Sequence, residues 1–304
     1  MCIGIGGGGD IVGALAAADL AERLGTPWVL GGVTWERRPI DPIPGARRLD
    51  EVSGLVRRLN DVAGLAGPQT TGPGGFRFAE SGMAEAIGAD TLLLDPNSGP
   101  RALGAGVDDA AEQLGCDLVV LVDVGGDVLG HGDEAGLASP LTDAVFLAAS
   151  AHMTTPSVLA VFGAGCDGEL RPPEVLERVA EVTAAGGSLG AWALTSDAAD
   201  RLEAAIGHVH TEASAMAVRC ARGAFGPTAI RDGTRAVELG PVGGLTFYLD
   251  PEAARASAAR LAAAVQDAES LEDANELLIG MGVRTELASE RTRAGERTYV
   301  KEQP

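Results

Sequence analysis

Carboxylates recur in this chain where short apolar runs end. Asp10 closes Gly6-Gly7-Gly8-Gly9-Asp10, and Asp95 opens Asp95-Pro96-Asn97-Ser98-Gly99. Asp123 and Asp127 bracket Asp123-Val124-Gly125-Gly126-Asp127, and Asp167 and Glu169 follow Gly163-Ala164-Gly165-Cys166. Acids crowded at a strand end can hold Mg²⁺ or Mn²⁺ through oxygen ligands. They can also repel one another until one keeps its proton, which places a general acid beside a general base. Asp123, Asp127, Glu134, Asp167 and Glu212 are the candidate catalytic carboxylates, with Asp123 and Asp127 the candidate metal ligands. Segment 123–143 also holds Asp133, Asp143 and the imidazole of His131. It exceeds the roughly 2–6 residues of an ordinary βα loop. A solvated acidic loop, with Asp143 favouring a helix dipole, is the plainer alternative.

The first glycine loop reads Gly4-x-Gly6-x-x-Gly9 between an apolar run and a helical pattern. Glycines there let backbone N–H groups approach a phosphate or carboxylate at a helix N-terminus. The run lacks a P-loop lysine, and its only candidate ribose-binding acid, Glu36, comes late. A tight turn with Asp10 capping its own helix is the alternative. Arg37 and Arg38, with Arg47, Arg48 and Arg77 further on, supply positive charge suited to an anionic group. The competing expectation is that they pair with Asp41, Asp50 and Glu51. Gly6, Gly7, Gly8, Gly9, Asp10, Glu36, Arg37 and Arg38 are thus candidate ligand-binding residues. His208-x-His210-x-Glu212 would line up as a metal triad only on a strand, and a helical pattern starts near Thr211. His152 reads as structural, and Cys166 has no neighbouring base to make it a nucleophile.

Positioning these residues falls to alternating strands and helices. Strands are expected at 2–6, 27–32, 91–95, 117–123, 157–163 and 187–194, with a hairpin of 234–239 and 244–249 around Gly240-Pro241-Val242-Gly243. Helices are expected at 11–24, 50–63, 106–114, 140–151, 172–185, 197–206, 211–222, 252–267 and 271–281. Ser139-Pro140 marks one start as a cap followed by proline. The alternation predicts an α/β fold: a doubly wound, mostly parallel, Rossmann-like sheet with helices on both faces. In such sheets the ligand crevice lies beyond the carboxyl ends of the strands, where these acids and glycines fall. One domain over 1–304 is expected, with a charged, fraying helical tail from about 270.

Composition narrows the function classes. Formal charge is 23 − 43 = −20, which repels nucleic acid and anionic lipid. The four cysteines (Cys2, Cys116, Cys166, Cys220) show no CxxC spacing and read as buried free thiols in a reducing compartment. No basic leader precedes the first strand and no apolar stretch spans a bilayer, so a cytoplasmic location is expected.

Several stretches carry a resemblance: 4–10, 35–42, Arg-Phe-Ala-Glu-Ser (77–81), 123–127, 137–144, 165–170 and 211–214. On these the chain resembles the prokaryotic family called domain of unknown function 1152. The resemblance implies an α/β fold and brings no mechanism. Glu80 and Ser139, which lie in these stretches, complete the ligand-binding candidates. The leading expectation is an enzyme acting on a small, polar, anionic metabolite (phosphorylated or carboxylate-bearing) by hydrolysis, elimination or group transfer. Its carboxylates would work as acids and bases or hold a divalent metal, Mg²⁺ or Mn²⁺. An NAD(P)-dependent oxidoreductase and a non-catalytic ligand sensor or partner subunit stay open. A homodimer is the expectation from the prevalence of two-fold assemblies.

Overall fold

The computed structural model describes residues 1–301. β1 (Cys2–Gly4) leads through α1 (Asp10–Arg23) to β2 (Leu30–Val33). β3 (Ser53–Arg58) and β4 (Ala63–Thr71) precede α2 (Ala79–Ile87), β5 (Thr91–Leu94) and α3 (Gly99–Leu114). β6 (Val119–Val124), α4 (Leu141–Ala149), β7 (Ser157–Phe162), α5 (Pro172–Ala184) and β8 (Ser188–Ala193) come next. Helices α6 (Ser196–Ile206) and α7 (Glu212–Ala221) precede strands β9 (Gly226–Ile230), β10 (Arg235–Leu239) and β11 (Leu245–Leu249). Helices α8 (Pro251–Ala256), α9 (Arg260–Ala264), α10 (Leu271–Gly280) and α11 (Glu286–Lys301) follow.

Nine strands form one mixed sheet in the order β3-β4-β5-β2-β1-β6-β7-β11-β8. Its centre, β5-β2-β1-β6-β7, is parallel throughout, and antiparallel strands extend both sides. Strand residues alternate between two cores, as a period of two requires. Ile3, Leu121 and Leu159 join the core under α3, α4 and α9, whereas Cys2, Val122 and Phe162 join the one under α1, α6 and α7. This is the expected Rossmann-like arrangement. From β1 the chain winds outward to β2 and β5, then α3 carries it back past β1 to β6. The winding direction therefore reverses between β1 and β6, and the loops after all five parallel strands emerge at one edge.

Some elements differ from expectation. The helix expected at 50–63 is a short 3-10 turn at Leu49–Glu51 followed by the antiparallel pair β3–β4. Gly54 has φ of +73°, which interrupts any helix, while Val52 and Leu55 pack against the core of Ala66, Phe78 and Leu93. β4 and α2 went unanticipated because 63–87 is dense in Gly, Ala and Pro. The expected hairpin is not formed. β10 pairs with β9 in a separate two-stranded sheet, and β11 is inserted between β7 and β8. The helix expected at 252–267 breaks at Ser257–Ala259 into α8 and α9. The charged tail, expected to fray, forms α11 from Glu286 onward; residues 302–304 of the tail lie outside the described residues.

Candidate functional site: a buried carboxylate nest

Three aspartates meet where the winding reverses. Asp10 starts α1, Asp123 is the penultimate residue of β6, and Asp143 lies in the first turn of α4. One carboxylate oxygen of each lies within 4.8 Å of the others. Asp10 does not cap its own helix. Its Oδ2 accepts bonds from the N–H of Gly6 (3.1 Å) and of Val124 (3.4 Å), tying the β1 loop to the β6 end. Gly6 is small for a reason: a Cβ there would lie 2.5 Å from Asp10 Oδ2 and 3.2 Å from Asp143 Oδ1. Asp123 is 0% exposed, and neither of its oxygens accepts a hydrogen bond; Asp143 Oδ1 is likewise unpartnered.

A second triplet adjoins the first. Asp127, Asp167 and Glu169 also place carboxylate oxygens within 4.8 Å of one another. Gly125 admits this approach, since a Cβ there would fall 2.4 Å from Asp167 Oδ1, and its φ of +133° is one that L side chains rarely adopt. Glu169 is firmly held. It accepts the N–H groups of Ala138 (2.6 Å) and Ser139 (2.9 Å) and the Ser139 hydroxyl (2.5 Å), and Arg235 Nη1 lies 3.3 Å away. Asp167 Oδ1 has no partner.

Burial, then mutual repulsion, raises the proton affinity of these acids. Asp10 is pushed up to about 7 chiefly by burial, against its two backbone donors. Burial and the neighbouring Glu169 push Asp167 to about 8. Asp123, Asp127 and Asp143 are all raised well above the carboxylate range, by burial first and then by each other and Asp10.

Arg37 flanks the first triplet, as Arg231 and Arg235 flank Glu169 in the second. Arg37 lies 4.7 Å over the Trp35 ring, donates to the Gly6 carbonyl (2.6 Å), and faces Glu286 at 3.4 Å and Glu290 at 3.9 Å. Gly7 and Gly8, both at positive φ, fold the glycine loop against this arginine, and Gly8 donates to the Trp35 carbonyl. Glu286 was not foreseen. It accepts the N–H groups of Leu141 and Thr142 (3.0 Å each) and the Thr142 hydroxyl (2.7 Å), so it caps α4 from α11. Glu290 likewise accepts from Trp35 Nε1 (3.2 Å) and Gly45 N–H (3.0 Å). No local pattern pairs residue 286 with residue 141. The signal available was the buried-side spacing Glu286/Glu290 in a helix otherwise rich in exposed charge.

A family model described as protein of unknown function (DUF1152) matches residues 1–294. The chain belongs to that family. No curated protein and no solved structure matches it.

This DUF1152 chain leaves the other candidates outside the nest. Glu134 accepts the N–H groups of His131 and Gly132 and faces Arg178 at 3.5 Å, while His131 meets Glu181 at 3.0 Å. These contacts brace a loop. Glu212 accepts the Arg231 N–H (2.9 Å), and His208 faces Glu85 at 3.8 Å, so 208, 210 and 212 form no triad. Glu36 turns to the start of α2, accepting the Ala79 N–H at 2.5 Å. Glu80 is buried against Gly32, whose missing side chain leaves it room, and both acids are raised by burial. Arg38 donates to the Pro42 carbonyl, Arg47 pairs with buried Asp41 (3.1 Å), and Arg77 pairs with Glu85 (2.7 Å). His152 meets the Gln266 carbonyl, a structural contact. Ser139 does not cap α4, whose first residue is Leu141; it serves Glu169 instead. All four cysteines are free, and Cys166 is buried with its thiol pushed up by Cys220 and burial. A cavity of about 250 Å³ between Arg48, Asn97, Ser270 and Arg291 lies outside the nest and contains none of its acids. Among the described residues, no helix is long and apolar enough to cross a membrane.

Proposed function

We propose that this protein is an enzyme that acts on a small anionic metabolite, phosphorylated or carboxylate-bearing, with a divalent cation held by the nest. The observation that carries this reading is Asp123, fully buried with both oxygens unpartnered beside Asp10 and Asp143. Folding does not bury an unpaired acid among other acids without some return, and binding Mg²⁺ or Mn²⁺ supplies it. Such a cation polarises a substrate oxygen and lowers the pKa of bound water, which suits hydrolysis, elimination or group transfer. Arg37 and the Gly6–Gly9 loop would receive the anionic end of the metabolite.

Acid–base chemistry without a metal is the second reading, favoured by Asp10 at about 7, where a carboxyl can both give and take a proton. A dinucleotide cofactor has less support, because Glu36, the only acid near the end of β2 that could take a ribose, is occupied by α2.

The test is a turnover screen of phosphorylated and carboxylate metabolites on chelator-treated protein, with and without Mg²⁺ or Mn²⁺. Cation-dependent turnover that falls by about 100-fold or more in Asp127→Asn, with the fold retained by circular dichroism, is the expected result. Turnover undiminished in Asp127→Asn removes the assignment, and cation-independent turnover selects the acid–base reading. Ligand binding without turnover, unaltered in that variant, selects a sensor.

A further inference from the structure

We propose that the nest holds two neighbouring divalent cations, one on Asp10, Asp123 and Asp143 and one on Asp127, Asp167 and Glu169, so that its substrate is a phosphate ester or anhydride. This rests on the cation-assisted reading above and extends it to stoichiometry and substrate class.

Two independent features separate two positions from one. Each triplet by itself brings three carboxylate oxygens within 4.8 Å; opposite ligands of one cation at about 2.0–2.1 Å lie about 4.2 Å apart, so a bound cation would draw the side chains inward by a few tenths of an ångström. Each triplet also contains a buried oxygen with no hydrogen-bond donor: both oxygens of Asp123 and Oδ1 of Asp143 in the first, Oδ1 of Asp167 in the second. A single cation would satisfy one set and leave the other buried and unpaired.

The fixed positive charges do not resolve this. Among the described residues, no lysine, arginine or histidine lies within 4.0 Å of a carboxylate oxygen of Asp10, Asp123, Asp127, Asp143 or Asp167. Arg37 is engaged with the Gly6 carbonyl, Glu286 and Glu290, and the carboxylate that Arg231 and Arg235 pair with is Glu169, Arg235 also donating to the Gly136 carbonyl. Four buried acids, Asp123, Asp127, Asp143 and Asp167, thus have no cationic side chain against them, and Asp10 has only its two backbone donors. The two positions are also neighbours. One five-residue loop supplies Asp123 to the first and Asp127 to the second, and Gly125, between them, contacts Asp167.

Paired cations about 3.5–4 Å apart stabilise both the attacking and the leaving oxygen of an in-line displacement at phosphorus. A phosphorylated metabolite offers such a pair both an attacking and a leaving oxygen at one centre. Of the two anionic substrate classes, the phosphorylated one fits. The acidic group His131, Asp133 and Glu134 does not qualify as a further position, because His131 and Glu134 already have partners.

The experiment titrates chelator-treated, full-length protein with Mn²⁺, counts bound ions after gel filtration, and records the electron paramagnetic resonance spectrum. Two Mn²⁺ per chain with a spin-coupled spectrum are expected. Asp143→Asn and Asp167→Asn should each weaken one ion by at least about tenfold, leaving an uncoupled signal, while exposed Asp133→Asn changes nothing. One Mn²⁺ per chain overturns the two-cation proposal and leaves the single-cation enzyme standing. No bound Mn²⁺ overturns both. Two uncoupled ions that persist in Asp167→Asn mean adventitious binding by an acidic surface and also overturn it. The wild-type count decides the matter even if a variant fails to fold.

Discussion

Asp123 sets the energetic character of the site at the scale of single residues. It is enclosed by backbone and by other acids, with no full hydrogen bond to either oxygen. Replacing such a group with its neutral isostere relieves repulsion, whereas a cation held as proposed would lose a ligand; a residue in that role trades stability for activity. Asp123→Asn is expected to melt at a higher temperature than wild type in chelator, by about 1–2 kcal/mol of stability, yet to show no melting shift with Mn²⁺. A variant less stable than wild type in chelator would mean that the Asp123 carboxylate contributes to the fold itself. Glu134 and Glu212 behave differently, since each accepts backbone N–H groups and works as local scaffolding.

Elements deliver these side chains by close approach. The turn from β1 into α1 lies so close to the nest that Gly6→Ala would drive a methyl into Asp10 and toward Asp143. No positive φ is required at Gly6, so the backbone tolerates alanine. Gly6→Ala should therefore keep most of the thermal stability while cutting turnover and cation affinity about tenfold or more. An unfolded Gly6→Ala protein would contradict this division. Helix α11 acts from the other side. Its Glu286 satisfies three donors at the start of α4, the helix that carries Asp143. Glu286→Ala leaves those donors buried and unpaired, and should cost about 2 kcal/mol or more in denaturant unfolding. An unchanged midpoint would mean that α11 is not needed to hold α4.

Across the whole molecule, buried acids couple stability to pH with a definite sign. Asp10 and Glu36 are raised to about 7 and Asp167 to about 8, from ordinary values near 4. The folded chain thus binds these protons more tightly than the unfolded chain does. Their stabilising contribution is full below the ordinary carboxylate range and is lost as pH rises through about 7 to 8. A net charge of −20 adds repulsion in the same direction. In chelator, the melting temperature should fall steadily from pH 5 to pH 9, and saturating Mn²⁺ should flatten that fall. A melting temperature that rises toward pH 9 in chelator would show that these acids are ionised and compensated in the fold.

The sequence by itself determined the strand–helix alternation, and with it the parallel centre of the sheet and the edge at which the acids gather. That information is local: aliphatic runs, capped helices, and Gly-Asp punctuation at the ends of β1, β6 and β7. It also marked Asp10, Asp123, Asp127, Asp167 and Arg37, because an acid or arginine next to glycines after an apolar run is unusual at short range. Only the tertiary structure decided which of them converge. Asp143 and Glu169 reach the nest from α4 and the β7 loop, while Glu134, Glu212, Glu36 and Glu80 are turned to backbone N–H groups or to packing. It likewise decided that β11 enters the main sheet beside β7 instead of closing a hairpin with β10, and that Glu286 caps a helix far away in sequence. Such pairings depend on which surfaces remain unburied after the local elements form, and no window of neighbouring residues contains that information.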